Sequence, residues 1–166
     1  MTTGDAESSH TSHTSHASDA PAQSEAPGEP LHLPAAPVAV TVGVDLVEVE
    51  RLVRTWERFG DRFLHKVFTD TELNQAKRRV HRLAGRFAAK EACAKALGTG
   101  IGAIRWHDIE IIRLPTGKPG LQLHGAAAER ARLLGLVAFD VSISDTHQHA
   151  LAVVVGVGNN SSASED

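Results

Sequence analysis

The chain has no tyrosine, one methionine, one cysteine and two tryptophans in 166 residues. The lone thiol, Cys93, excludes an internal disulfide and predicts a reducing, cytoplasmic setting. Five phenylalanines complete the aromatic set. They form no evident platform for stacking bases, so no nucleic-acid partner is expected. No apolar run approaches the length that spans a bilayer, so no membrane partner is expected either. The first 36 residues contain no Lys or Arg, and their first large apolar residue is Leu31. Ser, Thr, His, Ala and Pro dominate there. Such a stretch cannot bury enough apolar surface to offset its ordering entropy. Disordered tails are therefore expected over residues 1–36 and 158–166, with one domain over 37–157. The N-terminal stretch has no basic leader, apolar run or arginine, and so reads as neither a secretory signal nor a mitochondrial presequence.

What is present is a charge asymmetry. From Arg51 to Lys95 there are twelve Lys and Arg against five acids, Glu57, Asp61, Asp70, Glu72 and Glu91. That segment predicts a positive surface and an anionic partner. The periodicities predict a strand over Val38–Val44 and a helix over Val47–Phe59. A capped short helix follows from Thr69 to Lys77, then a long helix from His81 to Leu97 closed by Gly98. Strands are expected over Asp108–Leu114 and from Leu121 to His124, across a Thr116–Gly120 hairpin loop. A helix follows over Ala126–Leu134, then strands over Val137–Ser144 and Ala150–Val157. This order predicts an α+β fold in which an antiparallel sheet packs against the long helix.

Two acids stand out. On a helical wheel zeroed at Leu83, Glu91 falls near about 80° and Lys95 near about 120°, inside an apolar arc of Ala84, Phe87, Ala88 and Ala94. A charge there is costly unless it is paired or metal-bound. The pair is either a buried ion pair or a carboxylate facing a site with a lysine beside it. Asp45 ends an apolar strand, either as a cap for the next helix or as a group aimed into a cleft. Two carboxylates from different elements suit a hard divalent cation such as Mg2+, which takes one or two protein carboxylates. Glu48 is a possible third group. Cys93 falls away from the arc beside no evident base, so a catalytic thiol is not expected.

Val42-Gly-Val-Asp-Leu-Val-Glu-Val-Glu-Arg51 and the segment Ala84–Ile101, centred on Gly85-Arg-Phe-Ala-Ala-Lys-Glu91, resemble the two principal motifs of the holo-[acyl-carrier-protein] synthases. These are short bacterial members of the 4′-phosphopantetheinyl transferase superfamily. Trp106-His-Asp-Ile-Glu-Ile111, Gly117-Lys-Pro119 and Val141-Ser-Ile-Ser144 follow in the family's order. The resemblance implies the phosphopantetheinyl transferase fold. It also implies Mg2+-dependent transfer of 4′-phosphopantetheine from coenzyme A to a serine of apo acyl carrier protein, in a homotrimer. By motif position, Asp45 and Glu91 match the metal ligands, and Glu91 and Lys95 the catalytic pair. Arg86, Lys90, Lys95, Gly98, Thr99, Gly100, Gly117, Lys118 and Pro119 match coenzyme-binding positions. Arg51 matches a carrier-protein contact, and Arg54 and Arg58 lie on the same basic helix. One position departs from the pattern: Asp145 stands where the family usually has His. His147 or His149 could supply the missing donor, Asp145 could join the metal shell, or the chain could bind coenzyme and carrier without catalysis.

Overall fold

The computed structural model describes residues 38–159. The tails expected over 1–36 and 158–166 lie outside it, except that Gly158 and Asn159 complete the last strand. The elements are β1 (Val38–Glu48), α1 (Val49–Phe59), α2 (Asp61–Val67), α3 (Asp70–Ala76), α4 (Val80–Ala96), β2 (Ile109–Arg113), β3 (Pro119–Leu123), α5 (Gly125–Leu133), β4 (Leu136–Asp145) and β5 (His149–Asn159). A single 3-10 turn, Trp106–Asp108, precedes β2. The expected α+β class holds. β1, β5 and β4 form an antiparallel sheet with β5 in the middle, and β2 and β3 form a separate hairpin.

Helix α4 is the axis of the fold. Its six alanines favour the helix and keep its surface low. It is buried almost all round, as expected of a helix flanked on two sides. On one flank Ala88, Ala92 and Cys93 join Ile109, Ile111, Val141 and Val154 from the strands. On the other, Leu83 and Ala84 join Leu52, Leu64 and Leu73 from α1–α3 and Phe68 from the link between α2 and α3. Cys93 is therefore buried, not turned away from the packed arc, and burial pushes its thiol pKa up to about 12.

The contact between β1 and α4 leaves no room for a side chain. A Cβ on Gly43 would land on the carbonyl of Ala92 and lie 2.6 Å from the Ala96 nitrogen. Both neighbours are helix backbone and cannot rotate away. Gly43→Ala should cost about 3 kcal/mol, at the upper end of overpacking penalties, read as a shift of the urea midpoint. A change below about 1 kcal/mol would mean that strand and helix can part freely.

Two elements differ from expectation. β1 runs four residues beyond Val44 before α1 begins, because its ladder with β5 continues through Glu48 opposite His149. Helix α2 has no sequence counterpart. At seven residues it is too short to show a period, and Gly60, with φ of 60°, breaks it from α1. The capping box at the start of α3 is present: Thr69 and Glu72 bond each other's backbone N–H.

Candidate active site

Strand alternation aims Asp45. It shares a face of β1 with Gly43, two residues earlier, and that face lies on α4. Asp45 is thus mid-strand rather than a cap. The residue preceding α1 is Glu48, whose side chain makes no capping bond. Asp45 and Glu91 meet on one cleft of about 430 Å³, together with Glu48, Arg51, Phe63 and Phe87. Lys95 donates to Asp45 Oδ1 and to the carbonyl of Val44, both at 2.9 Å. Lys95 is not in an apolar environment, since its side chain is 53% exposed. From the last turn of α4 it reaches along β1 and keeps its ammonium in solvent. The pairing is therefore Lys95–Asp45, not the Glu91–Lys95 pair along the helix.

Burial raises the pKa of Glu91, the Asp45 carboxylate raises it further, and Lys95 works against both. Two carboxylates on a partly desolvated wall, one of them resisting ionisation, are a donor set that a hard divalent cation would relieve. Among the described residues, no three His, Cys, Asp or Glu side chains are grouped to hold a metal, and Glu48 lines the cleft without closing on the other two acids. The raised pKa has a consequence in metal-free protein. The folded state holds the Glu91 proton more tightly than the unfolded chain does. Protonation therefore favours the fold, and this contribution is lost as pH rises from the ordinary value near 4.5 through the raised one. With chelator present, thermal melts should show that decline in the wild type and not in Glu91→Gln. Parallel profiles would refute it.

A second cleft, of about 260 Å³, lies between the start of α4, the β2–β3 hairpin and the end of β4. Arg86, Gly117 and Pro119 line it, as does Asp145 at the departing motif position; His81, Arg82 and Arg113 also line it and were not anticipated as coenzyme contacts. Gly117 has φ of 88° and donates its N–H to the Leu114 carbonyl, closing the hairpin turn. Asp145 lies here and does not line the Asp45–Glu91 cleft of the same chain. His147 does not line the basic cleft but sets its ring edge-on to that of His81, with centroids 6.1 Å apart. His149 lies opposite Glu48 at the far end of β1.

One further expectation changes. Lys90 cannot touch a coenzyme, because it is fully buried. It is paired with Glu72 at 2.8 Å and donates to the carbonyls of Trp106 and Ile109. Lys118 is exposed and paired with Asp140 at 2.7 Å. Gly98, Thr99 and Gly100 follow α4 and line neither cleft within one chain. There the Thr99 hydroxyl and N–H both donate to the Ala94 carbonyl. Arg51, Arg54 and Arg58 are all exposed on α1, and Arg51 also lines the carboxylate cleft. The lining residues missed by sequence reading, Phe63, His81, Arg82, Phe87 and Arg113, come from α2, α4 and β2. Only the basic run around Arg82 marked any of them beforehand.

Comparison with known proteins agrees with this geometry. The family profile described as the 4′-phosphopantetheinyl transferase superfamily matches residues 41–154. The holo-[acyl-carrier-protein] synthase of Methylobacterium radiotolerans is 51% identical over 124 residues, covering 70% of this chain and 91% of that one. The synthase of Koribacter versatilis is 45% identical over 117 residues, covering 68% and 94%. Among solved structures, the Helicobacter pylori synthase in complex with coenzyme A has a TM-score of 0.64 at 34% identity, covering 69% of this chain and 98% of that one. The Neisseria meningitidis synthase has a TM-score of 0.64 at 37% identity, with 70% and 96% covered. The chain belongs to the 4′-phosphopantetheinyl transferase superfamily. Within it, the chain is an enzyme of the holo-[acyl-carrier-protein] synthase type.

Proposed function

We propose that this chain moves the 4′-phosphopantetheine group from coenzyme A to a serine hydroxyl of apo acyl carrier protein in the cytoplasm, with Mg2+, releasing adenosine 3′,5′-bisphosphate. The observation that carries this reading is the meeting of Asp45 and Glu91, from a strand and a helix, on one cleft bordered by Arg51. Asp45 and Glu91 would hold the metal. When bound, Mg2+ supplies charge neutralisation at the diphosphate oxygens. Lys95 adds a positive charge beside the same carboxylates and is suited to the phosphoryl group being transferred. Glu48 is the remaining acid of the cleft and has no capping bond, which suits it to accept the serine proton. Phosphoryl transfer needs positioning and charge more than covalent help, and these groups provide both.

Arg86, Gly117 and Pro119 support coenzyme binding in the basic cleft, which shares no lining residue with the carboxylate cleft. The two would form one site if neighbouring copies meet. The outer face of the sheet supports such an assembly. Val38, Val40, Val42, Val44 and Leu46 line one side of β1, each between 49% and 61% exposed, and Leu151 continues the patch on β5. A contiguous apolar face of this kind marks an interface. A homotrimer is the assembly we propose, and sedimentation analysis tests it.

The deciding assay is mass spectrometry of apo acyl carrier protein after incubation with coenzyme A, with and without Mg2+. The expected result is addition of phosphopantetheine only when the metal is present. Coenzyme binding without a mass shift would favour a non-catalytic binder. The exposed arginines of α1 suit an acidic helical partner. Arg51→Glu should raise the KM for carrier protein about tenfold more than that for coenzyme A, because a reversed rim charge acts on docking. Equal increases would argue against a docking role.

A further inference from the structure

The basic cleft contains one group that the proposed transfer chemistry does not use. Asp145 is the sole acid among its lining residues, facing a wall made cationic by Arg82, Arg86 and Arg113. Arg86 donates through Nη1 to the Arg82 carbonyl. Its Nε is buried without a partner. Burial lowers its guanidinium pKa, and repulsion from Arg82 and Arg113 adds to this against the pull of Glu72. Phosphates would meet the arginines. They carry no proton to offer a carboxylate, so Asp145 has no productive role toward them. Among the described residues it forms no ion pair with those arginines.

At the nucleotide end of coenzyme A, the donors left over are the exocyclic amine of adenine and the ribose 2′-hydroxyl. The fold favours the amine. Ile143 and Asp145 are two residues apart on β4, so their side chains leave the same face. Ile143 packs directly over Gly85, where a Cβ would lie 2.8 Å from its Cγ2. With Ile112 and Pro119 it forms an aliphatic wall suited to a flat base, and Asp145 lines the same cleft.

We infer that Asp145 is a specificity-determining residue that accepts a hydrogen bond from the exocyclic amine of adenine, selecting adenine over its deaminated counterpart. Hypoxanthine carries a carbonyl at that position, which would set two acceptors against each other. The inference rests on the proposed reading of this cleft as the coenzyme site.

Calorimetric titration of the full chain with adenosine 3′,5′-bisphosphate and inosine 3′,5′-bisphosphate tests it without any transfer step. The wild type should bind the adenosine form at least about tenfold more tightly, the scale of a site that reads one polar group. Asp145→Ala should bring the ratio close to one. Asp145→Asn should do the same, since its amide can face either base, and it carries the test if the alanine variant does not fold. Equal affinities in the wild type, binding of neither nucleotide, or an undiminished ratio in the variants overturns the inference. So does a loss of affinity for 2′-deoxyadenosine 3′,5′-bisphosphate that depends on Asp145, which would place the carboxylate on the ribose. If the nucleotides are discriminated as expected but no mass is added to apo carrier protein, it is the proposed function that fails.

Discussion

Glu91→Gln and Asp45→Asn should each lower kcat/KM for transfer to apo acyl carrier protein by about 10²- to 10³-fold, the scale set by removing one preorganised electrostatic group. Both changes keep side-chain volume and remove only charge, so the loss reports on what the carboxylates hold. Raising Mg2+ should recover part of the loss in either variant, since one carboxylate remains. The double variant should recover none. Stability separates this from damage to the fold. Glu91 is ionised at a cost from burial and from Asp45. Glu91→Gln should therefore melt no lower than wild type at neutral pH in the presence of chelator. Activity within threefold of wild type in both single variants would remove the two carboxylates from the chemistry.

Lys90→Ala should cost about 3–5 kcal/mol of folding stability, because it strands a buried carboxylate. Glu72 is fully buried. Its Oε1 accepts from the Ile111 N–H at 2.9 Å, and its Oε2 from the Thr69 N–H and from Lys90, both at 2.8 Å. Lys90 adds two bonds to backbone carbonyls. The network joins α3, α4, the 3-10 turn and β2, and every charge in it is partnered. Burial lowers the Lys90 pKa and the Glu72 carboxylate opposes that. Removing either partner should be severe, and replacing both by Leu and Met should still cost more than about 2 kcal/mol, because the Ile111 N–H and the Ile109 carbonyl lose their buried partners. Urea denaturation of the three variants measures this. A single-variant cost below about 1 kcal/mol would show that the interior can admit water to the orphaned charge.

Lys90 also shows where reading along the chain falls short. Its neighbour Glu91 faces a cleft, while Lys90, one residue away, is sealed in the interior. Motif position treats both as site residues. The difference arises because α4 is covered on two flanks, and a wheel drawn from one helix does not report the second cover. Cys93 is misjudged for the same reason. Lys95 errs in the opposite sense: the wheel sets it among apolar residues, but at the last turn a long side chain can leave along the strand and reach solvent.

The local sequence was sufficient for most of the architecture. Alternation of β-branched residues marks β1, β4 and β5, Thr69 and Glu72 announce the capping box of α3, and the alanine-rich run defines α4. These signals are carried by neighbours within a turn or two, so they survive without tertiary knowledge. The two acids that matter, Asp45 and Glu91, were also legible, since a charge within an apolar pattern is costly wherever the pattern folds. The tertiary structure alone decided how these groups meet. Gly43 brings β1 onto the backbone of α4, which puts Asp45 and Glu91 on one cleft and gives Lys95 to Asp45. The basic cleft gathers Arg82, Arg113 and Asp145 from α4, β2 and β4. Such convergence depends on packing between segments far apart in the chain, and no local periodicity encodes which distant side chain will arrive opposite.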